Sequence, residues 1–194
     1  MKTDIPGIIL AGGKSSRMGF PKAFLSVNGR RIIDIILEVF HRLFEEILIV
    51  TDNKDYFVEF KDVNVIQDLV NGFGPLGGIY TGLKAISTEK AFFIACDMPL
   101  LSSDLIERLL SASSSDYDCI VPYSQKGEEP LFAVYSIKVL PIIEDLLKKE
   151  DLSLNQLLKR SKCRFIKLED KDLSSLFNVN TPEEFIKLLC IRNE

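Results

Sequence analysis

The strongest constraint on the fold is a series of short apolar runs that alternate with segments of helical periodicity. The runs are IPGIIL (5–10), EILIVT (46–51), VNVIQD (63–68), AFFIAC (91–96) and DCIVPY (118–123). Continuous hydrophobicity of this kind is typical of strands that helices cover on both faces of a parallel sheet. Helical periodicity lies between the runs, at 30–44, 75–87 and 102–113. This order predicts an α/β fold, a doubly wound, three-layer αβα domain with a mostly parallel sheet.

The second half of the chain is less regular but continues the same pattern. It predicts a strand at 129–136, helices at 138–150 and 153–161, and a strand at 163–169. Near the end, Thr181-Pro182-Glu183-Glu184 has the form of a capping box with proline in the first turn of a helix. Because no linker or internal repeat interrupts the pattern, we expect a single domain over residues 1–194.

Charge, termini and cysteine usage exclude several classes of protein. The net charge is −4, from 24 basic and 28 acidic residues, which argues against a nucleic-acid partner. The N-terminal segment resembles neither a signal peptide nor a membrane span, so we expect a cytoplasmic protein without a membrane partner. His41 is the only histidine, and its position in a predicted amphipathic helix favours a surface role. The cysteines show no metal-ligand spacing and are expected to be free thiols: Cys96, Cys119, Cys163 and Cys190.

The segment GIILAGGKSSRMGFPK (7–22) concentrates glycines and cations directly after the first apolar run. Its glycine spacing fits neither a P-loop nor a dinucleotide-binding fingerprint. Gly12 and Gly13 would still let backbone amides approach an anion closely, and Lys14, Arg17 and Lys22 follow them. A solvated basic loop is the alternative, but a turn alone does not require this combination. The segment therefore predicts a phosphate-binding site.

Two aspartates follow later strands of the predicted sheet. Asp68 ends the third apolar run, and Asp97 follows the most apolar one. The carboxyl ends of parallel strands meet at one edge of a sheet, where ligands bind. Carboxylates beside phosphate oxygens are the ligands that Mg²⁺ prefers. The combination predicts a nucleoside triphosphate site with the metal at Asp97.

A second glycine-rich segment, NGFGPLGGIYTGL (71–83), leads into a predicted helix. Glycines at 77, 78 and 82 destabilise a helix by about 1 kcal/mol each relative to alanine. Close approach to a base or sugar explains them, and so does tight packing of the helix on the sheet. The sequence leaves both explanations open.

Four motifs together resemble the molybdenum cofactor guanylyltransferases, a family of nucleotidyltransferases with a Rossmann-like fold. They are LAGGKSSRMGFPK, GPLGGI, DMPLL and NVNTPEEF, which match in order and spacing from residue 8 to about 186. The resemblance implies transfer of GMP from GTP to the terminal phosphate of molybdenum-molybdopterin, with release of pyrophosphate and a requirement for Mg²⁺. GTP and molybdenum-molybdopterin would be the substrates, with transient contacts to cofactor-handling proteins or acceptor molybdoenzymes.

Carried over residue by residue, the resemblance also assigns the site. Arg17, Lys22 and Asp97 would be catalytic, the first two by binding phosphates and Asp97 by binding Mg²⁺ and GTP. Apart from the resemblance, Asn178 and Asn180 flank the cap of the last predicted helix, and Asn180 is expected to be a second metal ligand; the alternative is that both serve only the turn. The nucleotide-binding set would be Leu10, Ala11, Gly12, Gly13, Lys22, Asp68 and Asp97.

The chain departs from the family pattern after its second strand. Many members have Asn-x-Asn there, with the first asparagine touching the nucleotide, whereas this chain has Thr51-Asp52-Asn53. The pterin pocket is harder to place. Its expected borders are Glu129-Pro130, the turn 124–128 and a basic patch that comprises Lys159, Arg160, Lys162 and Arg164, for which a solvated face is the alternative.

Three alternative functions stay open at this stage. A cytidylyltransferase for the same cofactor would keep the fold, although CTP-using relatives tend to carry Ala-Ala-Gly in place of Ala11-Gly12-Gly13. A nucleotidyltransferase that acts on another phosphorylated small molecule would also keep it. A non-catalytic nucleotide-binding module is the alternative of a different class, and the Arg17, Lys22 and Asp97 set argues against it.

Overall fold

The computed structural model describes residues 2–12, 21–70 and 72–179. Ten strands are present in this part of the chain: β1 (Gly7–Leu10), β2 (Ser26–Val27), β3 (Arg30–Arg31), β4 (Ile47–Thr51), β5 (Asn64–Gln67), β6 (Lys90–Ala95), β7 (Cys119–Ser124), β8 (Gly127–Glu128), β9 (Phe132–Ser136) and β10 (Cys163–Lys167). The α-helices of the same residues are α1 (Ile32–Leu43), α2 (Gly74–Ala85), α3 (Ser103–Ser111), α4 (Leu140–Lys148) and α5 (Leu154–Arg160).

Eight of these strands form one mixed, mostly parallel sheet in the order β10-β7-β9-β6-β1-β4-β5, with β8 paired to β7. Strands β4, β1 and β6 are parallel neighbours, and β5 and β10 also pair in parallel with β4 and β7. Only β9 and β8 run against their neighbours. The chain passes from β1 outward to β4 and β5 and then returns to β6 on the other side of β1. The strand order therefore reverses between β1 and β6.

Helices cover both faces of the sheet, which explains the continuous hydrophobicity of its strands. Ile9 packs in the core beneath α1 and α3, whereas Ile8 and Leu10 pack in the core beneath α2, α4 and α5. Every position of β1 is therefore buried, and no alternation of apolar and polar residues remains. The apolar stripe of α1 is also buried as the helical spacing requires, with Ile32, Ile36 and Phe40 fully inaccessible to solvent.

The predicted α/β architecture and the order of its elements are confirmed, with one correction. The run VNVIQD was expected to be a buried strand, but β5 lies at the edge of the sheet and exposes Asn64 and Gln67. An edge strand has a neighbour on one side only, so its ends tolerate polar residues. Helix α3 is capped by Ser102, whose side chain accepts a hydrogen bond from the Leu105 amide. The predicted helix after Thr181 lies outside the described residues.

The cysteines of the described chain carry free thiols, as predicted. Cys119 and Cys163 are far apart in sequence but are register partners on the neighbouring parallel strands β7 and β10. A hydrogen bond with Cys163, together with burial, raises the pKa of the Cys119 thiol. No helix in the described part of the chain combines the length and the apolar character that crossing a membrane requires.

Candidate functional site

A cavity of about 950 Å³ opens at the carboxyl edge of the sheet, at the point where the strand order reverses. Its floor is formed by the ends of β1, β4 and β6, including Leu10–Gly12 and Ala95–Asp97. One wall comes from segments that pack with the α1 layer, namely 21–23 and Tyr56. The other comes from the start of α2, between Gly72 and Gly78. This position is the one at which open α/β sheets bind ligands.

The end of β1 is held rigidly between its two neighbours. The Ala11 amide donates to the Val50 carbonyl at 2.8 Å, and the Cys96 amide donates to the Leu10 carbonyl at 3.0 Å. These bonds carry the predicted nucleotide-binding residues Leu10, Ala11 and Gly12 to the cavity floor. The structure thus brings this part of the predicted site together.

Neither the backbone conformation of Gly12 nor its contacts with the described residues require a glycine at this position. Its φ is not positive, and a Cβ placed on it would meet only the Asp52 amide nitrogen at 3.6 Å and Thr51 Cα at 4.0 Å. Those are ordinary van der Waals distances, in contrast to Gly7, where a Cβ would lie 2.7 Å from ring atoms of Phe40 and Phe44. The exposed backbone at Gly12 therefore faces the cavity with room for a close approach by a ligand.

Lys22 and Asp97 meet at the cavity although 75 residues separate them in sequence. The Lys22 ammonium donates to the Asp97 carboxylate at 3.1 Å, and their side chains are 21% and 16% exposed. Pro21 directly precedes the 3-10 helix Lys22–Phe24, so its fixed φ sets the approach of the lysine. The predicted convergence of Lys22 with Asp97 is therefore present. Gly13, Lys14 and Arg17 lie outside the described residues, but Gly12 and Pro21, which flank 13–20, both line the cavity.

Asp97 is also anchored through its backbone. The Val179 amide donates to the Asp97 carbonyl at 2.9 Å, which brings the segment before Asn180 against the end of β6. That segment follows the 3-10 helix Asp170–Leu176. Asn180 itself, predicted as a second metal ligand, lies outside the described residues.

Asp68 lines the cavity as predicted, and one of its oxygens is engaged by the fold. Its Oδ1 accepts hydrogen bonds from Thr81 Oγ1 at 2.6 Å and from the Val70 amide at 3.2 Å. Thr81 is fully buried on α2, so these bonds fix the carboxylate relative to the helix start. A carboxylate has about four acceptor positions, so this engagement leaves capacity for a ligand.

The segment after β4 contributes residues that sequence reasoning missed. Asp52, Asn53 and Tyr56 line the cavity. The rule that ligands gather at strand ends could have found Asp52, but no motif marks Tyr56. The buried Thr51 hydroxyl instead serves the backbone, because it lies 3.4 Å from the Ala11 carbonyl and 3.2 Å from the Asn53 amide.

Gly77, Gly78 and Gly82 serve the packing of α2, which answers the question that the sequence left open. A Cβ on Gly82 would lie 2.7 Å from Phe93 Cε1, and one on Gly77 would lie 3.0 Å from the Val70 carbonyl. Gly78 packs against Leu10 in the same way and also lines the cavity. Close packing brings the N-terminus of α2, the positive end of its dipole, to the cavity.

The residues present fit a magnesium ion held jointly with a substrate. Within the described ranges, no three His, Cys, Asp or Glu side chains group closely enough to hold a metal on their own. Asp97 offers one hard carboxylate at the cavity floor. Mg²⁺ usually binds through one or two carboxylates together with substrate phosphates and water, so a single carboxylate suffices.

The predicted basic patch does not border the cavity. None of Lys159, Arg160, Lys162 and Arg164 is among the lining residues. Arg160 pairs with Asp145 at 2.8 Å, and the Arg164 guanidinium donates to the Ala112 carbonyl at 3.2 Å. These side chains lie on α5 and near β10, at the far end of the sheet. The patch therefore does not border this cavity, and a pterin pocket beside it stays a prediction.

The arrangement of strands and layers recurs in a solved structure. The crystal structure of molybdopterin-guanine dinucleotide biosynthesis protein A from Archaeoglobus fulgidus has the same fold. The two structures superpose with a TM-score of 0.86 at 23% sequence identity, and the match covers 97% of this chain and 99% of that one.

Comparison of sequences shows the class of protein and the family to which the chain belongs. The family model of the MobA-like NTP transferase domain matches residues 7–165 of this chain. A probable molybdenum cofactor guanylyltransferase of Bacillus cereus is 36% identical over 187 residues, which cover 93% of this chain and 94% of the relative. A probable molybdenum cofactor guanylyltransferase of Natranaerobius thermophilus is 36% identical over 194 residues, covering 95% and 94%. The chain belongs to this family of molybdenum cofactor guanylyltransferases, and it is a nucleotidyltransferase.

Proposed function

We propose that the protein transfers GMP from GTP to the terminal phosphate of molybdenum-molybdopterin and releases pyrophosphate, with Mg²⁺ as cofactor. The observation that carries this proposal is the Lys22–Asp97 pair, 3.1 Å apart. It lines the same cavity as Gly12, which follows strand β1. A cation for phosphates, a carboxylate for a metal and an unobstructed backbone lie at one cavity. The names of the relatives supply the guanylyl group and the molybdenum cofactor that accepts it.

The reaction brings together two anions, the molybdopterin phosphate and the triphosphate of GTP. An oxygen of the molybdopterin phosphate attacks the α-phosphorus of GTP, a new P–O bond forms, and the bond to the β-phosphate breaks with its electrons passing to pyrophosphate. The attacking group is already anionic, so no general base is needed. Catalysis then depends on positioning and charge neutralisation.

Each predicted site residue has a part in this scheme. The backbone of Leu10–Gly12 would hold the nucleotide, and Gly13 would leave room for the purine. Lys22 would bind the phosphates with Arg17, and Asp97 would hold Mg²⁺. The bound Mg²⁺ supplies neutralisation of charge on the phosphate oxygens. A second ligand at Asn180 stays a prediction.

The Lys22–Asp97 pair must open when the nucleotide binds. In the structure the ammonium neutralises the carboxylate, and both side chains are largely buried. A triphosphate would offer Lys22 a stronger anionic partner, and Asp97 would then hold Mg²⁺ in place of the ammonium. Exchange of both partners would keep each charge compensated, so binding leaves no isolated charge in the cavity.

The central experiment combines the purified protein with molybdopterin that carries molybdenum, Mg²⁺ and one of GTP, CTP or ATP. Pyrophosphate release with GTP, together with formation of the guanine dinucleotide, is the expected result. Preference for CTP would establish the cytidylyltransferase alternative. Tight GTP binding without turnover would establish a non-catalytic module, and turnover with a different phosphorylated acceptor would reassign the second substrate.

Variants of the pair test the assigned roles. Asp97→Ala should abolish transfer while the fold persists, whereas Asp62→Ala, which removes an exposed aspartate near His41, should leave transfer unchanged. Lys22→Ala and Arg17→Ala should lose transition-state binding more than stability. Unimpaired turnover in the Asp97 variant would end the metal assignment.

The remaining predictions about the cell are not tested by the geometry. Transient contact with cofactor-handling proteins or acceptor molybdoenzymes follows from the proposed product, which must reach its acceptors. A cytoplasmic location and the absence of nucleic-acid and membrane partners stay predictions from the sequence.

A further inference from the structure

Tyr56 is an aromatic residue that the proposed reaction does not yet use. Its side chain lines the cavity and is 50% exposed. The hydroxyl forms no hydrogen bond with any residue in the part of the chain that the structure describes. A half-exposed aromatic ring at a ligand cavity, without a polar partner of its own, is a surface for a planar ligand.

The ring is held in place by its neighbours. Tyr56 lies in the 3-10 helix Lys54–Phe57, whose first turn is capped by Asn53 Oδ1, which accepts from the Asp55 amide at 3.0 Å. The next residue, Phe57, is buried, with its ring 5.0 Å from that of Phe24. The Tyr56 ring lies 6.3 Å from Phe24 at an interplanar angle of 57°. Anchoring of this kind lowers the entropy cost of using the ring as a binding surface.

The other wall of the cavity is open at its glycines. Gly72 and Gly74 have φ values of +90° and +57°, and a Cβ on either would meet no atom within 4 Å. This wall belongs to the α2 layer, whereas Tyr56 packs with residues of the α1 layer. The cavity thus has an aromatic ring on one side and side-chain-free backbone on the other. An aromatic face opposite open backbone is suited to a planar ligand.

The position of Tyr56 along the sheet decides which planar group it meets. Tyr56 follows β4, on the β1-β4-β5 side that also carries Gly12 and Asp68. The phosphate-binding pair Lys22–Asp97 lies at β6, between this side and Leu131 before β9. The base of the nucleotide therefore lies on the Tyr56 side, and the second substrate approaches from the β9 side.

We propose that Tyr56 stacks on the guanine ring of bound GTP and so positions the nucleotide for transfer. This inference rests on the proposed function, because it takes GTP as the ligand. Stacking is insensitive to the hydroxyl, so the ring rather than the phenol is the required group.

The test compares binding of GTP with binding of inorganic tripolyphosphate, which lacks the base, by calorimetry in Mg²⁺. Tyr56→Ala should weaken GTP binding by about tenfold, equivalent to about 1.4 kcal/mol. Tripolyphosphate binding should not change. Tyr56→Phe should bind GTP as the wild type does. Val58→Ala is the matched control, because Val58 is 61% exposed just beyond the same 3-10 helix and does not line the cavity.

Three outcomes would overturn the stacking role. Equal loss of GTP and tripolyphosphate binding in Tyr56→Ala would show a structural effect. Unchanged GTP binding with a raised KM for molybdopterin would place Tyr56 on the second substrate. Weakened GTP binding in Tyr56→Phe would make the hydroxyl the important group.

Failure of the proposed function gives a different result. If the wild-type protein itself binds no GTP, the proposed function is wrong and the stacking role falls with it. If the wild type binds GTP and Tyr56→Ala binds it equally well, the proposed function stands and only the stacking role is wrong.

Discussion

Gly7 begins strand β1 and Gly12 lies just after its end. The two glycines differ in their surroundings, so substitution by alanine should have a different effect at each. At Gly7 a new methyl group would lie 2.7 Å from ring atoms of both Phe40 and Phe44. At Gly12 it would approach no described atom closer than the Asp52 amide nitrogen at 3.6 Å. Alanine at the first position therefore disturbs the core, whereas alanine at the second projects toward the cavity.

The contacts set the expected magnitudes. Overpacking of a core costs about 1–3 kcal/mol, so Gly7→Ala should lower the free energy of unfolding by about 2 kcal/mol. For a chain of this size that corresponds to a fall in Tm of about 4–8 °C. Gly12→Ala should change the free energy of unfolding by no more than about 0.5 kcal/mol. Its methyl group should weaken GTP binding by at least about tenfold, or about 1.4 kcal/mol.

Urea unfolding followed by circular dichroism and calorimetric titration with GTP and Mg²⁺ measure the two quantities on each variant. Folded Gly7→Ala protein should bind GTP nearly as the wild type does. A loss of about 2 kcal/mol of stability in Gly12→Ala would show that the fold requires this glycine. Wild-type GTP affinity in Gly12→Ala would refute the close approach of a ligand.

Three further predictions concern residues around the site. Burial raises the pKa of Glu129 above its ordinary 4.5, so its contribution to stability is complete below that value and is lost as the pH rises through the folded-state pKa. Glu129→Gln should therefore raise the free energy of unfolding at pH 7 and leave it unchanged near pH 4, and equal effects at both pH values would contradict this. The Asp172 side chain is 1% exposed and binds Arg108 through two hydrogen bonds of 2.8 and 3.3 Å. Asp172→Ala should cost about 2–3 kcal/mol in urea unfolding, less than for a fully buried pair because Arg108 is 31% exposed, and a loss below about 1 kcal/mol would be inconsistent with the pair. Thr81→Val removes the 2.6 Å hydrogen bond to Asp68, so it should raise the KM for GTP severalfold and cost about 1–2 kcal/mol of stability, and an unchanged KM would exclude a positioning role.

Local signals made most of the fold predictable. The apolar runs of β1, β4 and β6 are buried on both faces. Their composition alone therefore distinguishes them from strands with one solvent-exposed face. The order of elements then required a parallel sheet, because parallel neighbours need a crossover connection. Strand β5 was misjudged as buried because its place at the edge depends on the whole strand order.

The site was predictable where its residues follow strand ends within recognisable motifs. Leu10, Ala11 and Gly12 line the cavity, as do Lys22, Asp68 and Asp97. Tyr56 could not be found in this way, because nothing local marks a ring as facing a cavity rather than the core. In the same way, the charge of Arg160 is visible in the sequence but its pairing with Asp145 is not.

By itself the sequence determined the layered α/β class and the chain order of its elements, and it predicted the loop for phosphate binding, because hydrophobic period and glycine spacing are local properties. The tertiary structure alone decided which distant residues meet. It joined Lys22 to Asp97, showed that Gly78 and Gly82 of α2 pack against β1 and β6, and left Gly12 unobstructed. Those facts depend on which strands are neighbours and how closely helices approach them, and close packing of many side chains at once sets both.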